Sequence, residues 1–221
     1  MSEDQSRIEF HQMMDARKLT YHYQPIFCAC DGEVYGYEAL MRVDTPGLRN
    51  PELVLQIARE ESLMGEIEKL TMFMASERYV ELLGQGAVSP EARLFLNSIA
   101  NQDMTEEDEW EYHERFAAIQ DRVVVEITET ENLEMDLIRK KSRAEGFRGI
   151  FALDDYGSGY NSELNLLTLH PHYVKVDVTI VRDVDVDENK QQIVKNIVEY
   201  AHTRDMKIIA EGIETGAELK K

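Results

Sequence analysis

The stretch that decides the fold reads Gly149-Ile150-Phe151-Ala152-Leu153-Asp154-Asp155-Tyr156-Gly157-Ser158-Gly159-Tyr160. It is a short apolar strand that ends in two adjacent carboxylates and then in a glycine-rich loop. Neighbouring residues on an extended strand point to opposite faces, so Asp154 and Asp155 can share a metal only if the backbone turns there, as Gly157 and Gly159 permit. The alternative is that Asp155 caps a helix and the glycines form an ordinary turn.

Strands and helices alternate strictly around this stretch. Strands are predicted at residues 123–128, 150–153, 173–176 and 207–210, with helices between them at residues 133–145, 162–169 and 189–204. This order predicts right-handed βαβ units and a parallel sheet. Continuous apolar runs such as Val123-Val124-Val125 are typical of strands that are covered on both faces.

The chain begins differently, with an antiparallel pair of strands. Asp31-Gly32 predicts a hairpin between strands at residues 21–28 and 34–42. The other predicted elements are a helix at residues 6–18 with Ile8, Phe10 and Met13 or Met14 inward, helices at residues 52–59 and 63–83, a buried strand at residues 94–97, and a solvated acidic helix at residues 105–120.

Seven strands in a chain of 221 residues predict an α/β fold of the barrel type. We expect a modified TIM (β/α) barrel that opens with an antiparallel strand pair and lacks its last strand. Two parts are predicted: residues 1–18 form an N-terminal helix that packs on the barrel, and residues 19–221 form the barrel domain, truncated at its C-terminus.

The composition restricts the class of partner. Lys and Arg number 24 against 43 Asp and Glu, a net charge of -19, so the chain would repel long nucleic acids and would need metal ions to hold a polyanionic ligand. Cys28 and Cys30 are predicted to lie on one side of a strand, in poor geometry for a disulfide. Reduced thiols, no signal peptide and no long apolar run predict a cytoplasmic protein without a membrane segment.

Polar side chains lie at the carboxyl ends of the predicted strands, where barrel enzymes carry their functional groups. They are Glu38 on the second strand, Asn97 on the third, Glu126 on the fourth, Asp154 and Asp155 on the fifth, Lys175 and Asp177 on the sixth, and Glu211 on the seventh. Five carboxylates buried together must be protonated, paired or bound to cations. Oxygen ligands without a His or Cys cluster select Mg²⁺ or Mn²⁺, and two such ions about 3.5–4 Å apart suit phosphodiester hydrolysis.

Seven short motifs follow one another along the chain. They are Tyr23-Gln24-Pro25-Ile26, Glu38-Ala39-Leu40-Met41-Arg42, Phe95-Leu96-Asn97, Glu126-Ile127-Thr128-Glu129, Asp154-Asp155-Tyr156-Gly157-Ser158-Gly159, Lys175-Val176-Asp177 and Ala210-Glu211-Gly212-Ile213-Glu214-Thr215. In this order they resemble the EAL domain family, the phosphodiesterases of the bacterial second messenger cyclic di-GMP. The resemblance implies a cyclic-guanylate-specific phosphodiesterase, a homodimer, that hydrolyses cyclic di-GMP to linear 5'-pGpG with two divalent cations.

The resemblance also implies roles for the residues at the rim. One metal would be held by Glu38, Asn97, Glu126 and Asp154, and the other by Asp154, Asp155 and Glu211. Lys175 would orient or help to deprotonate the attacking water, so the predicted catalytic residues are Lys175, Glu38, Asp154 and Asp155.

Five further residues receive roles in the same way. Gln24, Arg42 and Asp177 would bind the substrate, with the Arg42 guanidinium gripping a phosphate. Glu129 would steady the loop at residues 156–162, which couples dimerisation to activity in the family. Glu214 would be an outer partner of the metal site.

Three features depart from the family pattern. Val43 stands where members usually have Trp, and Tyr156 where they often have Phe; both are minor changes of an apolar support. The chain ends at Lys221, in what should be a helix after the seventh strand, and the family's last strand with its Gln-Gly pair is absent. The alternative function is therefore a catalytically impaired EAL domain that acts as a cyclic di-GMP receptor or protein-interaction module, and a metal-dependent lyase or aldolase is more distant. All six expected metal ligands are present, which favours the enzyme.

Overall fold

A computed structural model of the chain describes residues 3–43, 45, 48, 50–98, 104–128, 150–159 and 162–221. The strands in these ranges are β1 (Leu19–Phe27), β2 (Val34–Val43), β3 (Arg93–Ser98), β4 (Val123–Thr128), β5 (Phe151–Tyr156), β6 (Tyr173–Val176) and β7 (Lys207–Ala210). The α-helices there are α1 (Glu3–Asp15), α2 (Pro51–Glu60), α3 (Met64–Gly84), α4 (Glu106–Phe116), α5 (Ser162–Leu169), α6 (Val178–Val181), α7 (Glu188–His202) and α8 (Gly216–Leu219). The helix predicted at residues 133–145 lies outside the described residues.

The strands form one curled sheet in the order β1-β2-β3-β4-β5-β6-β7. β1 and β2 are antiparallel, and every later neighbouring pair is parallel. The predicted α/β fold, a modified TIM barrel with an antiparallel opening pair, is confirmed. In the part of the chain that the structure describes, no strand pairs with the outer edges of β1 and β7, so the sheet is an open half-barrel.

Two helices, α2 and α4, begin directly after capping side chains. The Asn50 side chain accepts a hydrogen bond from Glu52 N at 3.0 Å, while Pro51 takes the first position of α2. Thr105 caps α4 by accepting from Asp108 N at 3.1 Å. The cap residues therefore fix the observed starts of both helices close to the predicted ones.

Two apolar layers lie on either side of the sheet. Leu94 and Leu96 face the helices, whereas Phe95 between them joins the apolar group inside the barrel. Phe10 and Met13 of α1 are fully buried in the outer layer, as predicted.

One inward residue of α1 was predicted wrongly. Ile8 is 52% exposed, although the sequence assigned it to the buried side of the helix. A helix turns about 100° per residue, so Ile8 lies about 140° around the axis from Met13 and cannot share its buried side.

The acidic helix α4 is solvated on one side only. Its inner side buries Tyr112 and Phe116 against α3. The Tyr112 hydroxyl lies 2.6 Å from Ser76 Oγ, and the Tyr112 ring packs edge-on against Phe73. The many acidic residues therefore mark the outer side of a docked helix.

Two short elements were absent from the prediction: α6 and a 3₁₀ turn at Gln120–Arg122. Helices of one turn are too short for an apolar period of 3.6 residues to show in the sequence. The helix expected after the seventh strand is present as α8. In the described ranges, no helix has both the length and the apolar character needed to cross a membrane.

The predicted hairpin is present, but the prediction of two free thiols beside it was wrong. Gly32 has φ +76, as a tight turn requires, and β1 already ends at Phe27. Cys28 and Cys30 therefore lie in the turn and not on a strand. Their Cα atoms are 5.4 Å apart, within the range of a disulfide, and the structure joins the two sulfurs. The two cysteines therefore give no support for a reducing compartment.

Candidate metal centre

Lys175 lies at the centre of the carboxyl-end rim of the barrel. Its Nζ is 2.8 Å from Asp154 Oδ1, 2.9 Å from Glu126 Oε1, 3.0 Å from Glu211 Oε1 and 3.2 Å from Glu38 Oε2. The carboxylates come from β2, β4, β5 and the residue after β7, while Lys175 itself is on β6. Because parallel strands end at one rim, the fold brings together five residues that the sequence singled out.

The backbone turns at the paired aspartates. Asp155 has φ +57, and the pairing of β5 with β6 shifts register between Leu153 and Tyr156. Carboxylate oxygens of Asp154, Asp155 and Glu211 all lie within 4.8 Å of one another. The turn required for a shared metal is therefore present. Since α5 begins only at residue 162, Asp155 is not its cap.

Two carboxamides flank Glu38 on the neighbouring strands. Asn97 Nδ2 donates a hydrogen bond to Glu38 Oε1 at 3.4 Å. Gln24 is the partner of Glu38 across β1 and β2, and Asn97 is the partner of Glu126 across β3 and β4. Directly opposed residues share one face of a sheet, so the register lines these four side chains along the inner face of the barrel.

Burial controls the charge state of the rim. Desolvation raises the pKa of Glu126 well above its usual range, and the nearby Lys175 charge only partly offsets this rise. Desolvation, followed by repulsion from Asp154, raises the pKa of Asp155, and desolvation raises that of Glu211. Burial opposes the charge of Lys175, but attraction to Glu126 and Asp154 outweighs it and raises the lysine pKa. The rim therefore holds more negative charge than it can neutralise by itself.

The donor set fits hard divalent cations. Five carboxylates face one ammonium, and within the described ranges no Arg or His forms an ion pair with them. Glu126 Oε2 is buried, and no described residue donates a hydrogen bond to it. Carboxylate oxygens with an Asn97 amide beside them match Mg²⁺ or Mn²⁺ better than Zn²⁺. The residues present thus fit the two cations that the sequence predicted.

Two predicted substrate-binding residues stand at the ends of rim strands: Arg42 near the end of β2 and Asp177 directly after β6. Both side chains form hydrogen bonds with residues close to them in sequence. Arg42 is half-buried on β2, and its Nη1 donates to the Met41 carbonyl at 2.9 Å. Asp177 caps α6, because its carboxylate accepts from Thr179 N at 2.8 Å. Their roles toward a substrate stay predictions.

The structure describes only one of the two predicted outer residues. Glu214 is exposed and pairs with Arg182, whose Nη2 donates to Glu214 Oε1 at 2.6 Å. Its role beside the metal site stays a prediction. Glu129 lies outside the described residues, so its role as a loop anchor stays a prediction.

Gly157, the first glycine after β5, is packed tightly against α6. Gly157 has φ +100, and a Cβ atom there would collide with Ile180 Cδ1. Only glycine satisfies both conditions without strain. The loop therefore depends on Gly157 for its course away from the aspartates.

One buried pair beside the rim was missed by the sequence reasoning. Ser98 Oγ donates to Glu68 Oε1 at 2.5 Å, and Ser98 directly follows Asn97 on β3. Ser98 faces α3, while Asn97 faces the barrel, so Glu68 holds the strand end from outside. A signal was available, because Glu68 stands four residues from both Met64 and Met72 on the buried side of α3.

Comparison with known proteins agrees with this geometry. The sequence model of the EAL domain family matches residues 8–221. Among curated relatives, the bifunctional diguanylate cyclase/cyclic di-GMP phosphodiesterase MucR of Pseudomonas aeruginosa is 28% identical over 226 residues, a match that covers 95% of this chain and 31% of MucR. The chain therefore spans less than a third of that relative.

Solved structures give the same result for the fold. A standalone EAL protein from Vibrio cholerae O395, in its c-di-GMP-bound form, superposes with a TM-score of 0.74 at 26% identity. The match covers 91% of this chain and 84% of the Vibrio chain. The manganese and cyclic di-GMP complex of Klebsiella pneumoniae BlrP1 superposes with a TM-score of 0.72 at 26% identity, covering 92% of this chain and 52% of BlrP1.

Proposed function

The chain belongs to the EAL domain family, and from that premise we propose that it is a metal-dependent phosphodiesterase that hydrolyses cyclic di-GMP to linear 5'-pGpG. One observation carries the proposal: four carboxylates, three on different strands and one directly after β7, converge on Lys175 at the carboxyl-end rim. Such a cluster is suited to holding cations against a phosphate diester, which a chain with a net charge of -19 would otherwise repel.

Two Mg²⁺ or Mn²⁺ ions would be held by the residues of the rim. Glu38, Asn97, Glu126 and Asp154 would hold one ion, and Asp154, Asp155 and Glu211 the other. The chemistry supplied by such a pair, when bound, is polarisation of a water molecule and neutralisation of the charge that develops on the phosphate. Asp154 is central because it belongs to both sets.

The remaining groups would bind and orient. The Lys175 ammonium, held by four carboxylates, would donate a hydrogen bond to the attacking water and fix its direction. The Arg42 guanidinium would leave the Met41 carbonyl to grip a phosphate oxygen. Gln24, beside Glu38 in the sheet register, and Asp177 would contact the rest of the dinucleotide.

We also propose that the protein acts in the cytoplasm as a homodimer in which Glu129 and the loop at residues 156–162 couple assembly to activity. The packing of Gly157 against Ile180 supports a loop with one defined course. A dimer contact at this loop would then shift the positions of the adjacent Asp154 and Asp155.

A receptor without turnover is the second candidate. It is favoured by the open side of the half-barrel, because in the described ranges no strand lies between the outer edges of β1 and β7. A less rigid rim could bind the dinucleotide and still misplace the attacking water, and small misplacements cost about 100-fold in rate.

The deciding experiment measures binding and hydrolysis side by side. Purified protein is incubated with cyclic di-GMP and Mn²⁺ or Mg²⁺, the linear product is separated by chromatography, and nucleotide binding is measured by calorimetry. We expect turnover that excess chelator abolishes and that Asp154→Asn removes. Asp205→Asn, at an exposed site, is the matched control and should keep full activity. Binding without turnover in either metal would favour the receptor, and turnover in excess chelator would contradict the two-metal assignment.

A further inference from the structure

The tip of the β1–β2 hairpin carries both cysteines of the chain. Backbone hydrogen bonds close this tip: Cys28 N donates to the Glu33 carbonyl at 2.9 Å, and Gly32 N donates to the Cys28 carbonyl at 2.9 Å. A side-chain bond adds to them, because Asp31 Oδ1 accepts from Glu33 N at 2.9 Å. Cys30 N also donates to Cys28 Sγ at 3.4 Å, but the other three bonds of the turn do not depend on the sulfurs.

Three metal-ligating atoms converge at this tip. Sγ of Cys28, Sγ of Cys30 and a carboxylate oxygen of Asp31 lie within 4.8 Å of one another. Cys30 and Asp31 are exposed and Cys28 is half-buried, so reagents in solution can reach the group. The sequence has no Lys or Arg from residue 19 to residue 41, so no cationic side chain of this hairpin competes for these ligands.

We propose that this group is a redox-gated site for a soft divalent cation such as Zn²⁺ or Cd²⁺. In the disulfide form the sulfurs are bonded to each other and cannot act as thiolate ligands. In the dithiol form, Cys28, Cys30 and Asp31 supply two thiolates and one carboxylate, and water completes the coordination. Thiolates select soft cations, so this site and the oxygen-only barrel rim take different metals.

The geometry allows both forms in one hairpin. Two Zn–S bonds of about 2.3 Å at a tetrahedral angle place the sulfurs about 3.8 Å apart. In the disulfide form the sulfurs are bonded, so they must separate on reduction to reach that spacing. The Cα atoms of Cys28 and Cys30 are 5.4 Å apart, and we expect rotation of the two side chains to supply the separation while the backbone bonds of Cys28 and Gly32 stay in place.

The redox step balances with an external dithiol as reductant. A thiolate of the dithiol attacks one sulfur of the Cys28–Cys30 bond, a mixed disulfide forms, and the second thiol of the reductant resolves it. The reductant leaves as a disulfide, and two electrons and two protons pass to the cysteines. Binding of the cation then releases the two thiol protons.

The test uses Cd²⁺ with the full chain in saturating Mg²⁺, which occupies oxygen sites and leaves thiolates free. The ultraviolet thiolate-to-cadmium charge-transfer band reports sulfur ligation alone. We expect a band that saturates at one Cd²⁺ per chain after reduction with a dithiol and its removal, and no band in the oxidised protein. Cys28→Ser and Cys30→Ser should each abolish tight binding.

Two more variants make the result decisive. Asp31→Asn should weaken Cd²⁺ binding by about 10-fold or more, since a ligand should matter at least as much as an outer-shell partner. Asp154→Asn, at the barrel rim, should leave the band unchanged. Absence of a saturable band in the reduced protein, a band in the oxidised protein, or unchanged affinity in Asp31→Asn would overturn the proposal. None of these outcomes depends on hydrolysis of cyclic di-GMP.

Discussion

Lys175 Nζ lies 2.8 Å from Asp154 Oδ1, and this contact joins the ends of β6 and β5 inside the rim of the barrel. The lysine is 1% exposed and contacts three further carboxylates. One buried ammonium therefore forms ion pairs with four carboxylates. It occupies the space between groups assigned to both metals. The lysine therefore serves the metal-free fold as well as the proposed chemistry.

The metal-free protein should depend on this lysine for stability. Lys175→Met removes the cation but keeps most of the side-chain volume, and breaking a buried ion pair in this way typically costs about 3–5 kcal/mol. We expect a lower Tm in excess chelator and a partial recovery in Mn²⁺, which would replace the lost charge. Lys195→Met, at an exposed position, is the control. Equal melting of the Lys175 variant and wild type in chelator would contradict the role of the ammonium.

Turnover should depend on the same residue more than binding does. Lys175→Ala should lower kcat by about 10²–10⁴, the usual contribution of an acid–base or water-orienting group. The affinity for cyclic di-GMP, measured by calorimetry, should fall much less because the phosphate contacts assigned to Arg42 and the metals remain. A kcat near that of wild type would reduce Lys175 to a structural partner of the carboxylates.

The buried Ser98–Glu68 hydrogen bond should tune metal affinity through Asn97. Ser98→Ala removes the donor at 2.5 Å and frees the end of β3 to shift. We expect Mn²⁺ affinity, measured by calorimetry, to fall about 10–100-fold, as for other outer-shell partners. Ser76→Ala is the matched control, because it also removes a buried serine hydroxyl, one that lies on α3 and contacts the Tyr112 hydroxyl. Equal metal affinities in the two variants would show that the bond is only structural.

Gly157 should be intolerant of any side chain. Its φ of +100 strains any other residue, and a Cβ atom would displace the Ile180 side chain, so Gly157→Ala should cost about 1–3 kcal/mol. The loop at residues 156–162 should then move and turnover should fall. Gly84→Ala, where a Cβ would meet nothing within 4 Å, is the control and should melt like wild type. If Gly157→Ala keeps both Tm and kcat, the loop does not have a fixed course.

Glu218 should link stability to acid pH. Its carboxylate accepts from the backbone N–H groups of Asp183, Glu214 and Thr215, and these bonds lower its pKa to about 2. The stabilisation is complete above the unfolded pKa of about 4.3 and is lost as the pH falls through the folded value.

Glu218→Gln should therefore melt below wild type at pH 7, and the gap should close as the pH falls from about 4.3 toward 2. Thermal melts across this pH range measure the gap. Glu114→Gln, at an exposed position on α4, should show no pH-dependent gap. If the difference in Tm between Glu218→Gln and wild type does not vary with pH, the charge of the Glu218 carboxylate does not stabilise this turn.

The sequence by itself determined the order of strands and helices and the residues at the strand ends. Period-2 and period-3.6 patterns, caps such as Asn50 and turn signals such as Asp31-Gly32 act within a few residues of chain. The required turn at Asp154-Asp155 was also a local inference, and the positive φ of Asp155 confirms it. The order of the seven motifs identified the family, because separate short motifs rarely occur together in one order by chance.

Only the tertiary structure decided which side chains meet. Lys175 touches Glu38, 137 positions earlier in the chain, because sheet curvature and strand register bring β2 and β6 to the same rim. Ser98 likewise meets Glu68, 30 positions earlier, only through tertiary packing. Glu214 pairs with Arg182, 32 positions earlier, another contact that no local pattern predicts. Local patterns fix the direction of a side chain relative to its own strand, but its partners depend on the summed twist and register of every strand between them.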